Sequence, residues 1–129
     1  MWPLVNPSVV KMLVTALAVG LMPAALSAQL PGDDANTVAH ELQQNNNAQA
    51  VVIADRILTT RPSDCQVLTL RGIALSREGQ VSDAQNSFEK ALESCPDSLP
   101  ALEGAAQIAY AKRSAAATGL LQRILLLRR

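Results

Sequence analysis

Aromatic residues are almost absent from this sequence, because its 129 residues include one Trp, one Tyr and one Phe. A β-sheet is disfavoured, since aromatic and β-branched pairs stabilise strands and alternation of polar and apolar residues is not sustained anywhere. No Asn-Gly or Asp-Gly pair marks a tight hairpin turn. Alanine and leucine must therefore fill the interior, which suits closely packed helices.

An excess of charge of one sign is also missing. Eleven Lys or Arg residues balance eleven Asp or Glu residues, and no basic run after the N-terminal segment is longer than a pair, as at Lys112-Arg113 and Arg128-Arg129. Nucleic-acid binding has no electrostatic support in such a sequence. His40 is the only histidine, and none of the common catalytic, metal-binding or phosphate-binding motifs occurs. We predict no enzyme activity, no metal, no cofactor and no small-molecule substrate.

The start of the chain has the three parts of a secretory signal. Lys11 is the only charge before Asp33, residues 12–22 are apolar or small, and residues 25–29 (Ala-Leu-Ser-Ala-Gln) offer small side chains to a signal peptidase. We predict a signal peptide over residues 1–28 and a linker over residues 29–32. The cleaved protein would be periplasmic or extracellular.

The alternative is an uncleaved anchor in the inner membrane formed by residues 12–28. A membrane-spanning helix needs about 20 apolar residues, and Pro23 interrupts this segment after Met22. We therefore prefer cleavage.

The rest of the chain shows an internal repeat. Pro62 and Pro96 are 34 residues apart, and residues 54–58 (Ala-Asp-Arg-Ile-Leu) align with residues 88–92 (Phe-Glu-Lys-Ala-Leu). A fixed period of this length is typical of stacked helical hairpins, which present a surface for binding. Gly79 would end one helix, and Ser82-Asp83-Ala84-Gln85 has the form of a capping box that opens the next.

The middle hairpin resembles a tetratricopeptide repeat. That family places large, small and aromatic residues and a proline at fixed intervals, and the residues found there are Leu68, Gly72, Leu75, Ala84, Phe88, Ala91 and Pro96. Gly72 and Ala84 would let the two helices approach closely, and Phe88 would fill the space where they diverge. Arg71 lies where the family has leucine, so we expect weaker packing at that corner.

The resemblance implies an all-α fold. The domain would span residues 33–129 as a right-handed superhelical solenoid of three antiparallel helix-turn-helix repeats, at about 33–64, 65–98 and 99–129. In this family the first helices line a concave groove that holds a peptide or a partner helix. Carried over by position, the candidate groove residues are Thr69, Ile73, Ser76, Arg77, Glu103, Gln107 and Tyr110.

The resemblance therefore implies an exported, non-catalytic module for protein–protein interaction or scaffolding. The Lys and Asn cluster with which family members clamp a C-terminal carboxylate is missing, so we do not expect that ligand. An ordinary solvated face would carry the same residues, and the sequence does not identify the partner.

The last helix is unusual because Leu120–Leu127 is apolar almost all round. Such a helix is normally buried on more than one side, and a terminal repeat normally has a polar outer face. Either further repeats follow Arg129, with this piece as the docking module of a larger enzyme or envelope assembly, or the helix packs on a partner or a second copy.

Cys65 and Cys95 are the only cysteines. Cys65 would open the first helix of the middle hairpin and Cys95 would close the second, so both thiols would lie at the same end. Export to an oxidising compartment favours a disulfide between them. The alternative is two unconnected small residues near helix ends.

Overall fold

The structure, a computed structural model, describes residues 34–129. The predicted signal peptide and linker lie outside the described residues. All regular secondary structure within 34–129 is helical, in agreement with the predicted all-α class. The helices are α1 (Ala35–Gln43), α2 (Asn47–Thr60), α3 (Cys65–Arg77), α4 (Val81–Ser94), α5 (Leu99–Ala111) and α6 (Ala116–Leu127).

Consecutive helices pack as three hairpins, α1 with α2, α3 with α4 and α5 with α6. Each hairpin turns at a residue with left-handed backbone, namely Asn45 (φ 60°), Gly79 (φ 78°) and Arg113 (φ 52°). Glycine adopts this conformation without steric cost and asparagine tolerates it, whereas Arg113 bears some strain. The turn at Gly79 lies where the sequence predicts the end of a helix.

Contacts between hairpins are made through their first helices. The first helix of the middle hairpin, α3, contacts both α1 and α2, and α5 contacts both α3 and α4. Within the described part of the chain, no second helix contacts another second helix. At both junctions, therefore, the first helix of one hairpin contacts both helices of the preceding hairpin.

Phe88 fills the junction between the second and third hairpins. Its side chain is 1% exposed and belongs to a buried cluster with Leu75 and Ala84 from its own hairpin and Ala105 and Ile108 from α5. A Cβ atom on Gly72 would lie 2.7 Å from the ring, and a Cβ atom on Gly104 would lie closer still. Both glycines therefore make room for one aromatic side chain.

Aspartate side chains begin α1 and α3. The Asp34 carboxylate accepts a hydrogen bond from the Thr37 backbone N–H at 2.9 Å, and Asp64 accepts one from the Val67 N–H at 3.1 Å. Each bond satisfies one N–H that lacks a partner within the helix. The Thr37 N–H, followed by the Thr37 hydroxyl, lowers the pKa of Asp34 below its ordinary value.

The predicted capping box at α4 is wrong. That helix begins at Val81, and Gln80 occupies the cap position without a side-chain cap hydrogen bond. Gly79 reverses the chain so tightly that helical backbone begins before Ser82, which lies within the first turn. The Gln85 side chain donates instead to Glu89, at 2.8 Å.

Two glycine substitutions should have opposite effects on stability. Gly104→Ala should lower the free energy of unfolding by about 1–3 kcal/mol, because its methyl group would overlap the Phe88 ring. Gly119→Ala should raise it by up to about 1 kcal/mol, because no atom lies within 4 Å of the added Cβ and alanine favours helix. Urea denaturation measures both shifts, and equal shifts would contradict the close approach at Gly104.

Candidate interaction surface

The seven candidate groove residues lie on two first helices, Thr69 to Arg77 on α3 and Glu103 to Tyr110 on α5. Their exposure differs. Four side chains are exposed (Ser76, Arg77, Gln107 and Tyr110), two are partly buried (Ile73 and Glu103), and Thr69 is buried. The two helices that carry them, α3 and α5, pack on each other.

Thr69 does not belong to this surface. It is only 5% exposed, and its hydroxyl donates to the Cys65 backbone carbonyl at 2.6 Å. A threonine hydroxyl in a helix often turns back to the carbonyl four residues earlier. The position carried over from the repeat pattern is therefore internal here.

Arg77 connects two hairpins. Its guanidinium donates to the Leu42 backbone carbonyl at 3.0 Å, in the last turn of α1. Carbonyl groups at a helix C-terminus lack partners within the helix, and a cation is favourable there. A substitution of Arg77 would therefore disturb packing between α1 and α3 as well as any surface contact.

A groove of about 540 Å³ lies between α5 and α6, and its lining combines predicted and unpredicted residues. It brings together three of the candidates with side chains of α6 and one buried alanine. The lining residues are Glu103, Ala106, Gln107, Tyr110, Leu121, Ile124 and Arg128. Tyr110 is 74% exposed and Leu121 is 46% exposed, so the groove presents apolar surface to the solvent.

The charged groups at this groove satisfy each other. The Arg128 guanidinium donates to the Glu103 carboxylate and forms an ion pair with it. The remaining lining is mostly apolar, with Ala106 and Ile124 buried. Such a groove is suited to taking up apolar side chains, since it presents no unpaired charge to a ligand.

Leu121 and Arg128 are not among the seven candidate groove residues, although the sequence analysis marks Leu120–Leu127 as a helix that would pack on further repeats, a partner or a second copy. Repeat alignment, with the third hairpin one residue shorter before its second helix, places Leu121 at the position of the buried Phe88. In the middle hairpin α5 covers that position, whereas in the described structure no helix packs against the corresponding face of the third hairpin. The apolar character of Leu120–Leu127 was the available signal.

Arg71 bridges two neighbouring helices at the corner where the sequence predicts weaker packing. Its Nε donates to the Asp55 carboxylate at 2.6 Å, and its Nη1 donates to the Ser87 hydroxyl at 2.6 Å. Ser87 is 1% exposed, so this bond satisfies a buried hydroxyl. The guanidinium therefore reaches both α2 and α4 from α3, and a cavity of about 260 Å³ remains at this corner.

Cys65 and Cys95 are joined as the sequence predicts, with their sulfur atoms 2.10 Å apart. Cys65 is the first residue of α3, and Cys95 follows the last residue of α4. The bond ties the open end of the middle hairpin, opposite the turn at Gly79. A structural disulfide is typical of proteins in an oxidising compartment.

Other kinds of site find no support in residues 34–129. No three His, Cys, Asp or Glu side chains in this range cluster as metal ligands would. No helix in the same range has the length and apolar character needed to cross a membrane.

No protein-family model matches the chain, and no match was found among curated proteins.

Proposed function

We propose that this chain is a non-catalytic module for protein–protein interaction or scaffolding in an exported protein. It binds a peptide or a partner helix on the inner face, which we define as the partly buried Ile73 and the exposed Ser76, Gln107 and Tyr110. The observation that carries the proposal is that α3 and α5, which bear these side chains, pack on each other, and that Gln107 and Tyr110 line a groove on α5 and α6.

We propose further that the three hairpins are tetratricopeptide-like repeats stacked as a right-handed solenoid. Support comes from the repeated use of the same helix pairs at both junctions. The packing of Phe88 against Gly72 within one hairpin also fits the residue types of that family.

Export is the third part of the proposal. Residues 1–28 have the composition of a signal peptide, and the Cys65–Cys95 bond suits a periplasmic or extracellular location. The partner would then be another protein or peptide of that compartment.

A second candidate is favoured by the exposed leucines of α6. Leu121, Leu125, Leu126 and Leu127 are 38–67% exposed, which is unusual for neighbouring large apolar residues on one helix. The module could accordingly dock onto a larger enzyme or envelope assembly, onto further repeats, or onto a second copy.

Selection of a peptide ligand tests the inner face. A random peptide library is panned against the purified oxidised protein, and the affinity of a selected peptide is measured by fluorescence anisotropy. We expect Ser76→Arg and Tyr110→Ala each to weaken binding by at least about tenfold, since aromatic anchors dominate interfaces. Val52→Arg, at an exposed position of α2, should leave the affinity unchanged.

Selected peptides that bind all three variants equally well would place the site elsewhere. The proposal would also be contradicted if no selected peptide binds the Ser76→Arg variant more weakly than the unchanged protein. Circular dichroism of each variant shows whether the helices remain intact.

A further inference from the structure

One face of the third hairpin corresponds to a buried junction elsewhere in the same molecule. We call it the end face and define it by Ala106, Tyr110, Leu121 and Ile124, which line the groove between α5 and α6. The third hairpin is one residue shorter than the 34-residue period before its second helix, so Ala117, Leu121 and Ile124 take the positions of Ala84, Phe88 and Ala91 in the repeat alignment. The end face is therefore the counterpart of the face on which α5 packs.

The two faces differ in what covers them. Phe88 is 1% exposed because α5 lies across it, with Gly104 against the ring and Ala105 and Ile108 in the same apolar cluster. Leu121 is 46% exposed. No helix of the described residues occupies the corresponding place.

We propose that the end face docks a helix of a partner protein, and that this helix carries glycine or alanine opposite Leu121 and an aliphatic residue one turn later. The proposal rests on the proposed function, since it specifies the partner for one part of the interaction surface. The arrangement copies the way in which α5 presents Gly104 and Ile108 to the middle hairpin.

The small residue is required by the distance between the helices. At the equivalent junction, a Cβ atom on Gly104 would overlap the ring of Phe88, so a larger residue there would hold the helices apart. Leucine at position 121 is smaller than phenylalanine, so alanine is accommodated as well as glycine. A leucine opposite Leu121 would prevent the approach.

The partner helix should have an uncharged contact face. Glu103 and Arg128 already pair with each other at the groove. A charged side chain buried against Ala106 and Ile124 would have no counter-charge and would pay its desolvation cost in full. An apolar face with a small residue at its centre satisfies both requirements.

The first helix of a second copy does not meet these requirements. The positions in α1 that correspond to Gly104, Ala105 and Ile108 of α5 hold Asn36, Thr37 and His40. Asn36 and His40 are exposed polar residues. Head-to-tail stacking of copies would therefore bury the polar side chains of Asn36 and His40 against the apolar end face, which argues against a second copy as the occupant.

A peptide copied from α5 provides the probe. A fluorescent, helix-stabilised peptide with the sequence of residues 98–113 is titrated into the purified full chain, and anisotropy reports binding. The matched peptide carries Gly104→Leu. We expect the first peptide to bind and the second to bind at least about tenfold more weakly.

Variants of the protein locate the binding site. Leu121→Glu should weaken binding of the α5 peptide by at least about tenfold, whereas Leu126→Glu should not, because Leu126 lies on the same helix and is 60% exposed but does not line the groove. Circular dichroism controls for folding. Equal binding by the two protein variants, equal binding of the two peptides, or no binding at millimolar concentration would each overturn the proposal.

Two further measurements separate this inference from the proposed function. The Ser76→Arg variant should still bind the α5 peptide. If only the Leu121→Glu variant loses binding, the peptide binds at the end face and not at the inner face. Sedimentation velocity of the protein without peptide should show a monomer. If the protein is instead a dimer, and Leu121→Glu dissociates it, the occupant of the end face is a second copy and the assignment to a partner protein is overturned. The result for peptide binding at the inner face would not be affected.

Discussion

Phe88→Ala should lower the free energy of unfolding by about 3–5 kcal/mol, the largest effect that we expect from a single substitution. The ring is 1% exposed and joins residues of α3, α4 and α5 in one cluster. Removing it leaves a cavity beside two glycines, Gly72 and Gly104, which have no side chains to fill the space. The loss should therefore lie near the upper part of the range.

Leu121→Ala is the matched control for Phe88→Ala. Leu121 takes the same place in the repeat alignment but is 46% exposed, so its truncation should cost about 1 kcal/mol or less. Urea denaturation followed by circular dichroism measures both variants, with the slope against urea checked for constancy. Similar losses at the two positions would show that the end face is covered in solution.

Reducing the Cys65–Cys95 bond should cost about 3–4 kcal/mol in the chain-entropy model. The bond closes a loop with a sequence separation of 30 residues, and opening it enlarges the set of conformations available to the unfolded chain. A domain of this size has a modest core, so the loss is a large fraction of its stability. Urea denaturation with and without reductant measures the difference.

The double variant Cys65→Ala with Cys95→Ala controls for effects of the reductant itself. It should unfold at the same urea concentration as the reduced protein and should not respond to reductant. Thiol titration of the unfolded oxidised protein should find no free thiol. Two free thiols, or identical unfolding of the oxidised and reduced protein, would contradict the bond.

Reasoning from the sequence was most successful inside each hairpin. The turn at Gly79 follows from a local signal, because glycine adopts left-handed backbone without steric cost just past the end of a helix. The pairing of Cys65 with Cys95 follows from the hairpin itself, since the start of its first helix lies beside the end of its second. These features depend only on residues close in sequence or related by one helical hairpin.

Reasoning from the sequence was less successful for the candidate surface. Thr69 shares its place in the repeat pattern with groove residues of the family, yet it is buried and its hydroxyl is bonded to Cys65. Arg77 remains exposed, but its guanidinium also donates a hydrogen bond to a backbone carbonyl at the end of α1. A residue's repeat position indicates which side of a helix it occupies. Whether its side chain reaches solvent depends on how closely the neighbouring helix packs against that side.

The sequence alone determined the helical class and the cysteine pair, because both are encoded in local periodicity, turn chemistry and chain connectivity. Tertiary structure alone decided the role of Gly104 beneath Phe88, the bridge from Arg71 to Asp55 and Ser87, and the exposure of Leu121. These features depend on how closely separate hairpins approach, and that distance is set by side chains far apart in the chain.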